Sequence, residues 1–343
     1  MSARKGPMIV AELSANHNGS LDRAMRTIEA VAAAGAHAVK FQTWTPGTMV
    51  LDRTYRIAGG PWDGRALAEL YDEAATPLEW HALLFSKAKE CGIEAFSSVF
   101  DLEALGYLEA LRCPRYKVAS FELVDLPLIE AIARTGKPMI LSTGMATEAE
   151  IREAFETARQ AGAKRITLLQ CTSAYPAPPE TANLRNMSVL ANRYFPARAG
   201  LSDHTQGIGV AILAAAMGAT MIEKHVALDD APGLDSAFSI KPDELATLVR
   251  EAPRAYEAYH GISPATREAE EPQRALRRSL YFRADLRAGD TVGRQHVATA
   301  RPALGMLPRH IDKVIGRQVL RDVKAGEPVT REAIAERQPA SVS

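Results

Sequence analysis

The segment GLSDHTQG, residues 200–207, places a serine, an aspartate and a histidine side by side, the residue types of a hydrolase triad. A nucleophilic triad requires three side chains to converge on one line of hydrogen bonds. Adjacent residues of a strand point to opposite faces, so Ser202, Asp203 and His204 cannot align in that way. Ser202 and His204 share one face instead, and Asp203 is expected to point away and to accept hydrogen bonds in the turn.

A second histidine, His225, ends the segment IEKH, which forms the next predicted strand after the one that leads to His204. Two imidazoles can share one divalent metal ion and leave coordination positions open for water and a substrate oxygen, as a Lewis-acid centre requires. The pair therefore predicts a catalytic metal site. His17, in the segment ANHNG, is expected to order a loop instead.

Lysines and hydroxyls at the ends of other predicted strands indicate an anion site. Lys40 and Lys117 are point charges suited to a phosphate or a carboxylate at close range. Glu12 ends the first strand and is a candidate general base. Taken singly, each of these residues has an ordinary structural explanation, but together they suit a ligand that carries both a phosphate and a carboxylate. The hydroxyl donors are Ser98, Ser120, Ser142, Ser173 and Ser202.

The elements that must position these side chains alternate between strand and helix. Strands are predicted at 8–12, 37–42, 94–98, 115–119, 138–142, 166–170, 198–202 and 220–225, and helices at 21–34, 77–91, 102–111, 126–134, 148–161, 182–194, 207–217 and 242–259. Eight such units over about 250 residues are typical of a (β/α)8 TIM barrel, whose active site lies at the C-terminal ends of the strands. A doubly wound open sheet is the alternative, but no GxGxxG follows the first strand. The long connection 43–76 is predicted to be a lid.

After the barrel the pattern changes to short alternating segments separated by turn residues, at 279–284, 289–292 and 314–319. This pattern predicts a small β-rich domain. We place the barrel domain at 1–262, a polar linker at 263–278 and the β-rich domain at 279–343.

Composition limits the possible partners and the compartment. The 343 residues include 41 basic and 41 acidic side chains, a balance that does not indicate nucleic acid or an anionic membrane as a partner. The three cysteines lack metal-site spacing and fit a reducing compartment. Residues 1–7 are too short and polar for a signal peptide, and no apolar run is long enough to span a membrane, so a cytoplasmic location is expected.

The segments AELSANHNG, VKFQTWTP, YKVASFE, LSTGMAT, CTSAYPAP, GLSDHT and IEKH, in this order and spacing, resemble the sialic acid synthase family. These enzymes are barrels followed by a small antifreeze-like (SAF) domain. The resemblance implies condensation of phosphoenolpyruvate with an open-chain N-acetylated amino sugar. The segments LSANHN, CTSAYPAPPE and LDSAFS resemble the branch that makes pseudaminic acid from 2,4-diacetamido-2,4,6-trideoxy-L-altrose. The branches that make N-acetylneuraminic and legionaminic acids are the alternatives.

The resemblance also implies roles for individual residues. His204 and His225 match the ligands of Mn²⁺, with Mg²⁺ or Co²⁺ as alternatives. The lysines and serines named above match the phosphoenolpyruvate site. Arg301 in the β-rich domain matches an arginine that reaches the partner subunit's barrel, which implies a domain-swapped homodimer; its alternative role is to anchor its own loop. Positions near the acceptor sugar are Gln42, Glu122, Tyr175, Glu223, Asp235 and Arg301.

Two other functions are compatible with these residues. A pyruvate-dependent Schiff-base aldolase could use Lys40 or Lys117 on the same barrel, but it would need one lysine desolvated to lower its pKa. A glycan-binding protein with a degenerate site is the second alternative, and the complete set of histidines, lysines and Glu12 argues against it.

Overall fold

The computed structural model describes residues 6–44, 47–261 and 263–336. The chain divides into two compact units, Met1–His260 and Gly261–Ser343. The segment predicted to be a linker contains a helix, Ser263–Arg274 (α10), as the first element of the second unit.

The first unit is a closed barrel of eight parallel strands in sequential order, in which the first strand pairs with the eighth. The TIM-barrel prediction is therefore confirmed. The strands are β1 (Met8–Glu12), β2 (Ala38–Thr43), β3 (Glu94–Val99), β4 (Tyr116–Val118), β5 (Met139–Ser142), β6 (Ile166–Cys171), β7 (Arg198–Asp203) and β8 (Met221–His225).

Helices cover the outside of the barrel and explain why its strands read as nearly continuous apolar runs, buried on both faces. Each predicted helix is present, and one unpredicted helix, α2, lies inside the long connection 43–76. The helices of this unit are α1 (Leu21–Ala33), α2 (Leu67–Ala74), α3 (Leu78–Glu90), α4 (Leu102–Ala110), α5 (Leu126–Arg134), α6 (Glu148–Gln160), α7 (Asn186–Arg193), α8 (Gly209–Ala216) and α9 (Pro242–His260).

The second unit contains a two-stranded antiparallel sheet of β9 (Ser279–Phe282) and β10 (Val297–Ala300). The prediction of a β-rich second domain is confirmed, although the alternating segments 289–292 and 314–319 form isolated bridges, such as Thr291–Gln318, instead of longer strands. Val292 and Val314 are fully buried in the core of this unit, so their apolar pattern reflects burial rather than strand pairing.

Across the described ranges, none of the helices combines the length and apolar character that crossing a bilayer requires.

Candidate active site

The strand register brings the predicted site residues of the barrel together at the C-terminal ends of the strands. Glu12 is the Cα partner of both Lys40 and His225, because β1 lies between β2 and β8. In the same way Lys117 on β4 is paired with Ser98 on β3. Residues from distant parts of the sequence therefore meet at one mouth of the barrel.

Two carboxylates and one lysine form a buried cluster at this mouth. Lys40 Nζ contacts the Glu12 carboxylate, lies 3.7 Å from Glu223 Oε1 and donates to Ser98 Oγ at 2.7 Å. Ser202 Oγ donates to Glu223 Oε1 at 3.1 Å. Lys40 is thus already paired with two carboxylates, and an anion that binds here meets a cluster rather than an isolated positive charge.

The two carboxylates of this cluster differ in their affinity for protons. Burial raises the pKa of Glu12 to about 7, although Lys40 attracts its charged form. Burial acts in the same direction on Glu223, but the charges of Lys117 and Lys40 outweigh it and lower its pKa. Near neutral pH, Glu12 can therefore gain or lose a proton while Glu223 stays ionised, an arrangement that suits one proton-transfer residue and one fixed negative charge.

Lys117 is the cation at the mouth that lacks a close counter-ion. Its Nζ donates to the carbonyl oxygen of Val118 at 3.2 Å, and in the described part of the chain it forms no ion pair. Burial lowers its pKa, although Glu223 attracts it from further away. Ser142 Oγ is buried nearby in the barrel interior without a hydrogen-bond partner. Both groups are available to an anionic ligand.

A glycine separates two of the predicted serine donors. Gly144 N donates to Ser120 Oγ at 3.1 Å. A Cβ at Gly144 would lie 2.3 Å from Ser173 Oγ and 2.8 Å from Ser120 Oγ, distances that no real Cβ contact shows. The two hydroxyls therefore converge on a space that only glycine leaves open.

The two histidines face each other, with ring centroids 5.3 Å apart, and both are buried. His204 Nδ1 lies 2.9 Å from the carbonyl oxygen of Thr172, which fixes the ring and leaves Nε2 as the free lone pair. His225 Nδ1 is buried without a hydrogen-bond partner and lies 3.7 Å from Asp235 Oδ2.

This arrangement fits a divalent metal ion. Two imidazoles that bind one ion at about 2.1 Å place their ring centres about 5 Å apart, close to the observed separation. The described residues contain no cluster of three or more histidine, cysteine, aspartate or glutamate side chains that could hold a metal. His204 and His225 would therefore leave most coordination positions to water and substrate.

Aromatic rings line the side of the mouth next to the histidines. Tyr175 packs against His204 with centroids 4.5 Å apart, and its ring also contacts Phe238 at 5.2 Å and Trp62 at 5.6 Å. Trp62 belongs to the long connection 43–76, so that connection reaches the site. Its action as a lid stays a prediction.

The other residues predicted near the sugar are polar groups with few partners. Gln42 Nε2 donates to Ser14 Oγ at 3.0 Å, and Ser14 Oγ donates to Asp235 Oδ2. Burial raises the pKa of Asp235. Burial also raises the pKa of Glu122 to about 7, and Glu122 Oε2 is buried without a hydrogen-bond partner.

Two structural roles predicted from the sequence are confirmed. Asp203 Oδ1 accepts hydrogen bonds from the backbone and side chain of Thr205, as expected of a turn acceptor. His17 Nδ1 accepts from Gly19 N at 3.0 Å and orders the loop after β1.

Four residues of the site were missed from the sequence: Ser14, Trp62, Cys171 and Phe238. Cys171 ends β6, and its Sγ lies 3.8 Å from His204 Nδ1, so the strand-end rule that found its neighbours could also have found it. Ser14 and Phe238 lie in short 3₁₀ helices and Trp62 lies in a turn, and such segments are too short for a periodic pattern to indicate direction.

Arg301 follows β10 in the second unit and is exposed. Within the described ranges, its guanidinium makes no hydrogen bond or ion pair, so the alternative role of anchoring its own loop has no supporting contact.

Comparisons with known proteins identify the family of the chain. The NeuB family matches residues 27–263, and the SAF domain matches residues 277–335. The chain is 42% identical to the pseudaminic acid synthase of Helicobacter pylori, over 96% of this chain and 98% of that protein. It is 35% identical to the N,N'-diacetyllegionaminic acid synthase of Campylobacter jejuni, over 94% of this chain and 98% of that protein.

Solved structures of related proteins share the fold of this chain. The N-acetylneuraminic acid synthetase of Leptospira borgpetersenii, in complex with citrate, has a TM-score of 0.71 at 31% identity and covers 79% of this chain and 92% of its own. The spore coat polysaccharide biosynthesis protein SpsE of Bacillus subtilis has a TM-score of 0.64 at 30% identity, over 97% and 96% of the two chains. By its sequence match, its barrel and its second unit, the chain belongs to the NeuB family.

Proposed function

We propose that this chain is a pseudaminic acid synthase, an enzyme that condenses phosphoenolpyruvate with 2,4-diacetamido-2,4,6-trideoxy-L-altrose and releases phosphate. The observation that carries the proposal is the 42% identity to the Helicobacter pylori pseudaminic acid synthase along nearly the whole chain. The buried lysines, carboxylates and histidines at one mouth of the barrel supply the groups that such a reaction needs.

Phosphoenolpyruvate would bind on the side of the mouth that carries Lys40 and Lys117. Among the described residues, Lys117 has no close counter-ion and Ser142 Oγ has no hydrogen-bond partner, so both can bind the incoming anion. The hydroxyls of Ser98, Ser120, Ser173 and Ser202 supply further donors. Fixed cations and hydroxyls of this kind stabilise negative charge as it develops on the departing phosphate.

His204 and His225 would hold a divalent ion, with Mn²⁺ as the expected metal and Mg²⁺ or Co²⁺ as alternatives. Such an ion supplies Lewis-acid polarisation of the sugar aldehyde. The rings of Tyr175 and Phe238 pack against these histidines, so the acceptor sugar would bind on the aromatic side of the mouth. Gln42, Glu122, Glu223 and Asp235 are the polar groups that would contact the sugar there.

The bond changes follow from the two substrates. C3 of phosphoenolpyruvate forms a bond to the aldehyde carbon, the aldehyde oxygen takes up a proton, and water adds to C2. The bond between C2 and the phosphate oxygen then breaks and the C2 hydroxyl gives its proton to the departing phosphate, which leaves a ketone and inorganic phosphate. The Glu12 carboxylate, whose pKa lies near 7 because of burial, would accept the proton that the water loses.

Arg301 would complete the sugar site from the partner subunit of a domain-swapped homodimer. Two observations support this role of Arg301. Its guanidinium is exposed and, in the described part of the chain, forms no ion pair or hydrogen bond, and the segment that contains it resembles that of the sialic acid synthase family. The enzyme would act in the cytoplasm, and its product would be used on flagellins and surface polysaccharides.

A Schiff-base aldolase remains the second candidate because of one observation. Lys117 is buried and its pKa is lowered by burial, as such a mechanism requires. Reduction with borohydride in the presence of pyruvate separates the two functions: an aldolase would be labelled at Lys117, whereas the synthase would not.

The test is an assay of the purified protein with phosphoenolpyruvate, Mn²⁺ and one acceptor at a time. We expect phosphate release and a 2-keto acid with the altrose derivative, and slower turnover with N-acetylmannosamine and with the legionaminic acid precursor. His225→Ala should be folded and inactive. Faster turnover with another acceptor would assign the enzyme to a neighbouring branch of the family. No turnover with any acceptor would refute the proposed synthase activity.

A further inference from the structure

A buried ion pair lies directly behind the two histidines. Asp203 precedes His204 at the end of β7, and Lys224 precedes His225 at the end of β8. The two residues are Cα partners in the register, and Lys224 Nζ lies 2.9 Å from Asp203 Oδ2. Because successive strand residues point to opposite faces, this pair faces away from the mouth and takes no part in the chemistry described above.

The same pair also holds the chain on the far side of His204. Asp203 Oδ1 accepts from Thr205 N at 2.9 Å and from Thr205 Oγ1 at 2.8 Å. Lys224 Nζ donates to the carbonyl oxygen of Thr205. Asp203 and Thr205, the residues on either side of His204, are thus both bonded to the Lys224 side chain.

The pair is fully enclosed, with side chains that are 1% exposed for Asp203 and 0% for Lys224. A buried ion pair gives little net stability compared with packed apolar side chains, but its hydrogen bonds fix direction. The ion pair and the two bonds to Thr205 therefore join the ends of β7 and β8 next to the histidines.

The proposed metal site depends on this restraint more than a site with three or four protein ligands would. Within the described ranges no cluster of three ligand side chains surrounds the histidines, so the distance between the two imidazoles is set by the strands that carry them. We propose that Asp203 and Lys224 are positioning residues that hold His204 and His225 at the separation required to bind one divalent ion. This inference rests on the proposed function, because it presupposes the metal.

The test is the affinity of the full-length protein for Mn²⁺, measured by titration calorimetry and by the electron paramagnetic resonance signal of free Mn²⁺. The informative variant is the double substitution Asp203→Asn with Lys224→Met. It leaves no unpaired buried charge and keeps an acceptor for Thr205 N, so it should fold. Lys224→Met alone would leave the buried Asp203 carboxylate without its partner.

A matched control is available at the opposite end of the barrel. Arg115, before β4, pairs with Glu94, the first residue of β3, with Nε and Oε1 2.5 Å apart. The double substitution Glu94→Gln with Arg115→Met removes an ion pair between neighbouring strands, as the test variant does, but far from the histidines.

We expect the Kd for Mn²⁺ to rise at least about tenfold in the Asp203/Lys224 variant and to change less than about twofold in the control, as is typical for residues that orient metal ligands. Saturating Mn²⁺ should restore most of the turnover of the test variant. An unchanged Kd in the folded test variant, or an equal loss in the control, would overturn the inference and leave the proposed function intact. A wild-type protein that binds no divalent ion would overturn both.

Discussion

Glu122 offers a direct test of the electrostatics of the site, because burial raises the pKa of its carboxyl from 4.5 to about 7. In the described part of the chain, its Oε2 atom is buried without a hydrogen-bond partner. The attraction between Lys117 and the ionised carboxylate does not compensate for the hydration that the carboxylate loses on burial. We expect Glu122→Gln, which resembles the protonated acid, to stabilise the unliganded protein at alkaline pH.

The size of the stabilisation by Glu122→Gln follows from the raised pKa of Glu122. Between pH 4.5 and 7 the folded protein keeps a proton on Glu122 that the unfolded chain has lost, so wild-type stability falls as the pH rises through that window. The rise of this pKa from 4.5 to about 7 corresponds to about 3 kcal/mol at full ionisation. Since glutamine does not titrate, the advantage of Glu122→Gln should grow by about 2.5 kcal/mol between pH 5 and pH 8.5. Glu12 titrates in the same range, but it is present in both proteins and cancels in the difference.

The measurement is urea unfolding of both proteins at the two pH values, followed by tryptophan fluorescence. All three tryptophans lie in the first unit, so the signal reports the barrel. Glu153→Gln, on the exposed face of α6, is the control and should change the free energy of unfolding by less than about 0.5 kcal/mol at either pH. A difference between wild type and Glu122→Gln that is the same at pH 5 and pH 8.5 would show that burial does not raise the pKa of Glu122.

Three further predictions concern catalysis. Turnover should rise with pH through about 7 as Glu12 ionises, and Glu122→Gln should keep this limb of the pH profile; a flat profile from pH 6 to 8 would exclude Glu12 as the base. Gly144→Ala should lower kcat/KM for phosphoenolpyruvate about a hundredfold, because the added Cβ displaces two hydroxyls of the site, whereas Gly106→Ala on α4, which has open space around its Cα, should leave it unchanged. Arg301→Ala should raise KM for the sugar, and mixing it with His225→Ala should restore about a quarter of the sites if each site uses both subunits; no recovery after subunit exchange would place Arg301 in its own subunit's site or outside any site.

The barrel could be predicted from the sequence because its strands are apolar runs that end in polar residues. The prediction for β1 and α5 agrees with the structure at both ends, and the other strands differ by a residue or so. Once these ends are known, the rule that a parallel barrel places its active site at the C-terminal ends of its strands locates Glu12, Lys40, His204 and His225 together.

The remaining parts of the site depend on contacts that no local pattern encodes. Trp62 and Phe238 lie in connections whose course is set by tertiary packing. Trp62 precedes Tyr175 in the sequence and Phe238 follows it, and both rings contact Tyr175. The pairing of Lys40 with two carboxylates also depends on the closure of β1 onto β8, which the sequence implies only through the fold. In the second unit, the alternating pattern at 289–292 and 314–319 comes from valines that are buried in its core, and these segments form isolated bridges.

A crystal structure of the protein soaked with Mn²⁺ and phosphoenolpyruvate, with data collected at the manganese absorption edge, would show whether one mouth of the barrel binds both. We predict one anomalous peak bonded to both His204 and His225, with the phosphate group of phosphoenolpyruvate against Lys117 on the lysine side of the same mouth. Manganese bound away from either imidazole, or phosphoenolpyruvate bound outside this mouth, would contradict it.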